Sequence, residues 1–291
     1  MTEPRAADPT ADLTADPITD LIVDLAAEHD ALDTVVAGLD AEQWTTPTPS
    51  PGWTVTDQVA HLSFFDDAAV TAIRDPERFA VETAELLDAV LAPGGSLDAV
   101  TLPRFRSLDP VELLAAWRDG RARMLEAAGT LRDGDRVPWY GPSMGARSFL
   151  TARLMETWAH GQDIVDAVGA DRPATPRLVH VAQLGVITRS WSYRNRGGTA
   201  PEVEVRVELT GPDGAVHRWG PDAAEHVVTG DLEDFCLVVT QRRHLDDTSL
   251  EVTDGPAREW LLIAQVFAGG ATDGPDPKNS QNERGAADTP K

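Results

Sequence analysis

The stretch "RLMETWAHGQDIVDAV", residues 153–168, decides how this chain folds. Its apolar residues recur at intervals of three and four, which predicts a helix with one buried face: Leu154, Trp158, Gly161 and Val165. The stripe beside that face is ionisable throughout: Arg153, Glu156, His160 and Asp163. A helix that packs into a core while carrying four such groups indicates a polar site inside the protein.

Three further segments show the same periodicity. Asp16 and Pro17 predict the start of a first helix, "PTPSPGW" (47–53) breaks the chain, and a second helix begins near Thr54 and runs to about residue 72. Asp109–Pro110 opens a third helix, and the opening stretch belongs to a fourth, over about 147–168. Four amphipathic helices bury their apolar stripes by packing together, so we predict a four-helix bundle. The acidic segment 75–100 is expected to be a long crossover with room for a short helix.

The second half has a different pattern. A capped helix is expected over 175–195, and "EVEVRVEL" (202–209) alternates charged and apolar residues as a strand does. "GPDG" (211–214) predicts a hairpin turn, Asp231 caps another helix, and Pro256 opens a last one. We therefore predict an α plus α+β protein: a disordered N-terminus (1–16), a four-helix bundle (17–171), a small α+β domain (172–268) and a disordered tail (269–291).

Composition restricts the possible partners. The chain has 291 residues, with 48 acidic against 25 basic residues and a net charge of −23. Such a charge repels nucleic acids and anionic membrane surfaces, and no stretch is apolar enough to span a bilayer. The sequence shows no secretion signal, and its one cysteine, Cys236, lies in an apolar run and excludes an intrachain disulfide. We expect a soluble cytoplasmic protein.

Glu156 and His160 are four residues apart, so their side chains share one face of the predicted helix. Imidazole and carboxylate groups are ligands for Zn²⁺, Ni²⁺ and similar ions. The spacing alone also occurs on solvated helices. Burying Glu156 without a partner would cost several kcal/mol, and either a cation or an ion pair with Arg153 would offset that cost.

The predicted second helix offers a third ligand, His61, beside an apolar stripe. If the bundle brings helices two and four together, His61, Glu156 and His160 form a three-ligand site with open positions, as catalytic metal sites have. Asp57, one turn earlier, could orient the His61 ring. The alternative for His61 is a hydrogen-bonded core histidine. His29, on the stripe of helix one, is read as a half-buried side chain rather than a fourth ligand.

Several kinds of site lack support in the sequence. It contains no HExxH motif, no CxxC pair, no glycine-rich phosphate loop and no GxSxG elbow. Cys236 is predicted to lie in an apolar helix, where a thiol is a poor nucleophile.

"PGWTVTDQVAHL" followed about ninety residues later by "RLMETWAHGQDIVDAVG" resembles the DinB-like metal-binding four-helix-bundle superfamily, in its mycothiol-dependent maleylpyruvate isomerase branch. The resemblance covers roughly residues 17–268. It implies a bundle followed by a small domain like those of sterol carrier proteins. It also implies that His61, Glu156 and His160 bind a divalent metal, usually zinc.

The resemblance further implies that the metal activates an external low-molecular-weight thiol, such as mycothiol, which adds to a small electrophilic substrate. Arginines are candidates for holding a substrate carboxylate. Arg121 lies on the inward stripe of helix three, Arg153 adjoins the ligands, and the resemblance adds Arg242 or Arg243. Ordinary ion pairs explain these arginines equally well, and packing explains Trp139 and Tyr140, which could also form the walls of the entrance.

Three functional hypotheses follow. The first is a metal- and thiol-dependent transferase or isomerase. The second is a metal-dependent hydrolase or lyase that uses metal-bound water. The third is a binding module for a small ligand, without catalysis.

Overall fold

The computed structural model describes residues 17–278, and it confirms the predicted fold class of a helical bundle followed by an α+β region. The expected disordered residues 1–16, and 279–291 of the expected tail, lie outside the described part. The helices of the first half are α1 (Pro17–Val36), α2 (Val55–Arg74), α3 (Pro76–Leu91), α4 (Leu97–Thr101), α5 (Pro103–Arg106), α6 (Pro110–Ala128) and α7 (Ala146–Val168).

The four long helices α1, α2, α6 and α7 form the bundle. Helix α2 packs mainly against α6, α1 packs mainly against α7, and α2 also lies against α7. On α1, Ile18, Leu25 and Leu32 are fully or almost fully buried, as their spacing predicts. Capping boxes begin two of these helices, with Thr54 and Asp57 at α2 and Asp109 at α6.

The crossover between α2 and α6 is more helical than the sequence analysis expected. Helix α3 is 16 residues long, begins at the cap Asp75 and buries Phe79 and Leu86. Its apolar residues recur on one helical face, so the sequence does carry a helical pattern here, and the expectation of only a short helix understated it. The short helices α4 and α5 return the chain, and Asp98 of α4 accepts a hydrogen bond from Trp53 Nε1 at 2.8 Å.

A two-stranded pair, β1 (Arg136–Val137) with β2 (Met144–Gly145), precedes α7. The second half then contains α8 (Leu178–Ile187), α9 (Arg189–Arg194), β3 (Val205–Thr210), β4 (Val216–Trp219), β5 (His226–Asp231), α10 (Leu232–Val239), β6 (Glu251–Val252) and α11 (Pro256–Ile263). The single helix expected over 175–195 is therefore divided into α8 and α9.

The four-stranded sheet has the order β4-β3-β5-β6. Strands β3 and β4 form the predicted hairpin, with Val207 opposite Trp219. Strand β5 runs parallel to β3 and was not predicted, because "HVVTGD" has one apolar pair and no alternation that indicates a strand. Asp231 caps α10 as expected, by accepting a hydrogen bond from the backbone of Glu233.

The two halves share a hydrophobic core. Leu154 and Trp158 of α7 belong to the same buried cluster as Val181 of α8 and Phe235 of α10. Polar contacts join the halves as well: the buried Glu28 of α1 accepts hydrogen bonds from Arg177, the closer at 3.1 Å. The elements that follow the bundle are therefore fixed against the helix that carries the ionisable stripe.

Residues 269–278 belong to the segment expected to be a disordered tail, yet they have defined contacts. Thr272 bonds to the side chains of Gln241 and Gln265, and the backbone nitrogen of Lys278 donates to Asp247. Helices that combine the length and the apolar character needed to cross a bilayer do not occur between residues 17 and 278.

Candidate metal centre

Helices α2 and α7 bring His61, Glu156 and His160 together in the bundle. Helix α2 begins at its capping box, and His61 lies about two turns further along the helix. On α7, Glu156 and His160 lie one turn apart on the same face. The three residues that the sequence analysis selected therefore form a single cluster, from two helices almost a hundred residues apart in the chain.

Glu156 Oε2 lies between the two imidazoles. It is 3.1 Å from His160 Nε2 and 3.6 Å from His61 Nε2. One ligand atom from each of the three residues lies within 4.8 Å of the others. Ligands about 2.0–2.1 Å from a tetrahedral metal ion are separated from each other by about 3.3 Å. The spacing of these atoms therefore suits one shared ion.

Aromatic rings surround the two histidines. Trp53 stacks on His160 with 5.8 Å between ring centroids and an interplanar angle of 17°, and it also contacts His61. Phe65 packs on the other ring, 4.5 Å from the His61 centroid. The side chain of Glu156 remains 23% exposed, against 13% for His61 and 12% for His160. Glu156 therefore lies on the side of the cluster that is open to solvent.

Burial sets the protonation of the cluster. Desolvation by burial is the main cause that lowers the pKa of His61 from 6.5 to about 4, and the neighbouring His160 ring acts in the same direction, so His61 is neutral at pH 7. Burial by itself raises the pKa of Glu156, but hydrogen bonds from His160 and His61 outweigh it and hold that pKa well below the usual range. A neutral imidazole and an ionised carboxylate are the forms that bind metal ions.

His160 has a second partner that the sequence analysis missed. Its Nδ1 lies 2.6 Å from Oε1 of Gln58, which is fully buried on α2. Gln58 Nε2 donates to Thr48 Oγ1 at 2.8 Å and lies 3.5 Å from Asp163 Oδ2. Because glutamine is not a metal-ligand type, no motif search would select Gln58. Its position one turn before His61 is the signal that could have found it.

Two other residues were considered as parts of this site. Asp57 caps α2 and binds Arg106 Nε at 2.6 Å, so the structure gives it these partners rather than the His61 ring. His29 is 1% exposed and lies against the edge of Trp117, with ring centroids 6.1 Å apart. The sequence predicts a half-buried His29, and the structure buries it fully.

The four candidate arginines each bind a carboxylate of the chain. Arg153 Nη2 lies 3.1 Å from Asp66, so the ion pair considered between Arg153 and Glu156 is not the one that forms. The other three pairs link distant segments: Arg121–Asp33, Arg242–Asp163 and Arg243–Asp166. A substrate carboxylate would have to displace these partners.

Trp139 and Tyr140 lie in the loop between β1 and β2, and both join an aromatic cluster beside the site. Trp139 stacks on Phe79 of α3, and Tyr140 contacts Phe65 with centroids 5.6 Å apart. Phe65 in turn contacts His61. These rings therefore form a continuous aromatic wall next to the cluster, whose far side is closed by α3.

Comparison with known proteins agrees with this architecture. Residues 25–165 match the mycothiol maleylpyruvate isomerase N-terminal domain. The matched segment includes all three members of the His–Glu–His cluster. The chain belongs to that family, a branch of the DinB-like four-helix bundles. The uncharacterized protein Rv0036c of Mycobacterium tuberculosis H37Rv is 46% identical to this chain over 246 residues, which are 84% of this chain and 94% of the relative. The uncharacterized protein MT0041 of strain CDC 1551 has the same identity and coverage.

Two solved structures share the fold of this chain. A crystal structure of the mycothiol-dependent maleylpyruvate isomerase superposes with a TM-score of 0.54 at 19% sequence identity. It covers 82% of this chain and 96% of the solved one. A mutant of that enzyme gives a TM-score of 0.52 at 17% identity with the same coverage. The likeness extends through the bundle and into the α+β region.

Proposed function

We propose that this protein is a divalent-metal-dependent enzyme that uses a low-molecular-weight thiol of the mycothiol type to isomerise or transfer a small electrophilic molecule. The observation that carries the proposal is the convergence of His61, Glu156 and His160. Two imidazoles and one carboxylate are a donor set typical of catalytic zinc, with coordination positions left for other ligands. Membership of the mycothiol isomerase family supports the thiol.

The residues of the cluster fit the ion they would hold. His61 and His160 both present Nε2 to Glu156, so all three donors face one point. A bound metal ion would supply Lewis acidity and lower the pKa of a coordinated thiol. Trp53 and Phe65 exclude water from the imidazole side. A thiol and an electrophile would therefore approach from the open side, where Glu156 is partly exposed.

The electrophile is expected to contact the aromatic wall rather than a free cation. All four candidate arginines are neutralised by aspartates, and Arg153 has only 4% of its side chain exposed. Phe65 and Tyr140 offer flat apolar surfaces that suit an unsaturated molecule. Substrate carboxylates would bind an arginine of this set only after breaking an ion pair.

Metal binding tests the proposal first. We expect about one equivalent of zinc per chain after loading, measured by elemental analysis following gel filtration. Glu156→Gln and His61→Ala should each abolish that stoichiometry. His180→Ala is the matched control, since His180 binds Asp24 at 2.8 Å outside the cluster, and it should keep the metal. A wild-type protein that cannot be loaded would refute the proposal.

The thiol is tested separately, on Co²⁺-substituted protein. Addition of a low-molecular-weight thiol should produce a thiolate-to-cobalt absorption band, and Glu156→Gln should not show it. Turnover of a test electrophile such as a maleyl ester should then require the thiol. Equal turnover with and without thiol would contradict the thiol-dependent part, and it would favour a metal-bound water as the nucleophile.

A further inference from the structure

We infer that Arg242, Asp163 and Gln58 form a hydrogen-bonded chain that fixes the tautomer of His160, so that a residue of the second half prepares a ligand in the bundle. The inference rests on the proposed function, because the prepared atom is the one that would bind the metal. Arg242, Asp163 and Gln58 are positioning residues in this scheme. None of them needs to touch the substrate.

The chain begins at the imidazole. The Oε1 atom of Gln58 can only accept a hydrogen bond, so the His160 nitrogen that faces it, Nδ1, carries the proton. In a neutral imidazole the other nitrogen, Nε2, then has a free lone pair. Nε2 lies 3.1 Å from Glu156 Oε2 and donates to it while it holds a proton, and loss of that proton leaves a lone pair that faces the carboxylate. A cation between them would satisfy both.

The amide of Gln58 has two possible orientations, and its surroundings select one. An ionised carboxylate can only accept hydrogen bonds, so the nitrogen end of the amide faces Asp163. Thr48 Oγ1 accepts from the same nitrogen. Rotation of the amide by 180° would place its oxygen against Asp163 and its NH₂ group against His160 Nδ1. His160 would then carry its proton on Nε2, the atom that must bind the metal.

Asp163 is itself held by the second half. It lies one turn after His160 on α7 and is 4% exposed. Arg242, just after α10, donates to both carboxylate oxygens, with Nη2 at 2.9 Å and Nε at 3.3 Å. Ser50 Oγ donates as well, at 3.0 Å. A two-point contact of this kind fixes the orientation of the carboxylate.

The neighbouring pair, Arg243 with Asp166, provides a matched control. It also joins α7 to the segment after α10, with two short hydrogen bonds of 2.6 and 2.7 Å. Asp166 accepts from Gln162 rather than from Gln58. If these aspartates merely fasten the two halves together, Asp163→Asn and Asp166→Asn will have similar effects. If the proposed chain operates, only the first will alter the metal ligand.

The experiment compares Asp163→Asn, Asp166→Asn and Gln58→Met in the full chain. We expect Zn²⁺ affinity, measured by competition with a chromogenic chelator, to fall about 10–100-fold in Asp163→Asn and in Gln58→Met. Asp166→Asn should keep wild-type affinity. The double variant Gln58→Met/Asp163→Asn should bind no more weakly than Gln58→Met, because Asp163 acts through Gln58.

A second measurement does not depend on metal. Long-range ¹H–¹⁵N spectra of the metal-free protein, assigned with His160→Ala and recorded over a pH series, show which nitrogen of His160 keeps the proton once the ring is neutral. We expect the Nδ1–H form in the wild type and in Asp166→Asn, and a mixture in Asp163→Asn. Arg242→Gln keeps Asp163 and should shift the tautomer populations in the same direction. It replaces Asp163→Asn in this measurement if that variant does not fold.

The two measurements separate the inference from the proposed function. If the wild type binds no Zn²⁺ but Asp163→Asn changes the tautomer of His160 relative to the wild type, the proposed function is refuted and the positioning chain is supported. A wild type that binds Zn²⁺ while Asp163→Asn and Asp166→Asn have equal affinities and equal spectra would overturn the inference and leave the metal site standing.

Discussion

The buried histidine of helix α1 predicts how stability depends on pH. His29 is 1% exposed, and neither ring nitrogen has a hydrogen-bond partner within residues 17–278. Desolvation, assisted by the charges of Arg121 and Arg153, lowers its pKa from 6.5 to about 3. The perturbation is His29→Leu, which replaces the imidazole by an apolar side chain beside Leu25 and Leu32.

The direction and size of this pH dependence follow from the linkage between proton binding and folding. Between pH 6.5 and about 3, the unfolded chain binds a proton on this histidine and the folded chain does not. Stability is therefore lost as the pH falls through that window. Each pH unit below 6.5 corresponds to about 1.4 kcal/mol, so acidification from about pH 7 to about pH 4.5 removes about 3 kcal/mol. The His29→Leu variant lacks this group and should lose about 3 kcal/mol less.

The assay is urea denaturation of metal-free wild-type and His29→Leu proteins at both pH values. A chelator is needed because metal binding stabilises the folded state and itself varies with pH. Other titrating groups, His61 among them, are present in both proteins and cancel in the comparison. Equal losses of unfolding free energy in the two proteins would refute the reasoning, since they would show that burial does not keep His29 neutral.

The remaining predictions concern packing and the metal. Arg153→Met leaves Asp66 buried without its partner and should lower the free energy of unfolding by about 3–5 kcal/mol. Asp66→Leu in the same chain should recover most of that loss, and a fully additive double variant would contradict the coupling. Bound Co²⁺ should quench tryptophan fluorescence. Trp53→Phe should remove most of that quenching, because the Trp53 ring contacts both imidazoles. Undiminished quenching in this variant would place the ion elsewhere. Gly161→Ala should lower the free energy of unfolding by about 1–3 kcal/mol, measured by thermal or urea unfolding, since an added Cβ would lie 2.3 Å from Arg172 Nη1. A gain in stability would show that the Arg172 side chain moves aside easily.

The sequence predicted the cluster because most of the pattern that indicates it lies within one short segment of the chain. Glu156 and His160 are fixed relative to each other by one turn of helix, whatever the rest of the fold does. His61 required an assumption about how helices two and four pack, which the family resemblance supplied. Gln58 could not be predicted, because its role depends on Thr48, His160 and Asp163, which meet only in the folded chain.

The sequence left the arginines undecided for a similar reason. The sequence positions of Arg121 and Arg243 indicate which helix or loop carries each of them. Their partners, Asp33 and Asp166, lie 88 and 77 residues away in the chain. With 48 acidic against 25 basic residues, suitable partners are plentiful, and periodicity cannot choose among them. The missed strand β5 likewise owes its place to pairing with β3 and β6 rather than to a pattern of its own.

The carboxylates around the cluster give the physical reason for expecting a cation there. Four carboxylate side chains are buried within residues 17–278, and an arginine binds each of them: Glu28, Asp57, Asp66 and Asp163. Glu156 is ionised and largely enclosed, yet the partners that the structure gives it are two imidazoles. The nearest arginine along α7, Arg153, is bound to Asp66 instead. Between residues 17 and 278 each fully buried carboxylate is neutralised by a guanidinium, whereas Glu156 faces two imidazoles. Two histidine nitrogens aimed at the same carboxylate oxygen make a divalent metal ion the cation that fits this site.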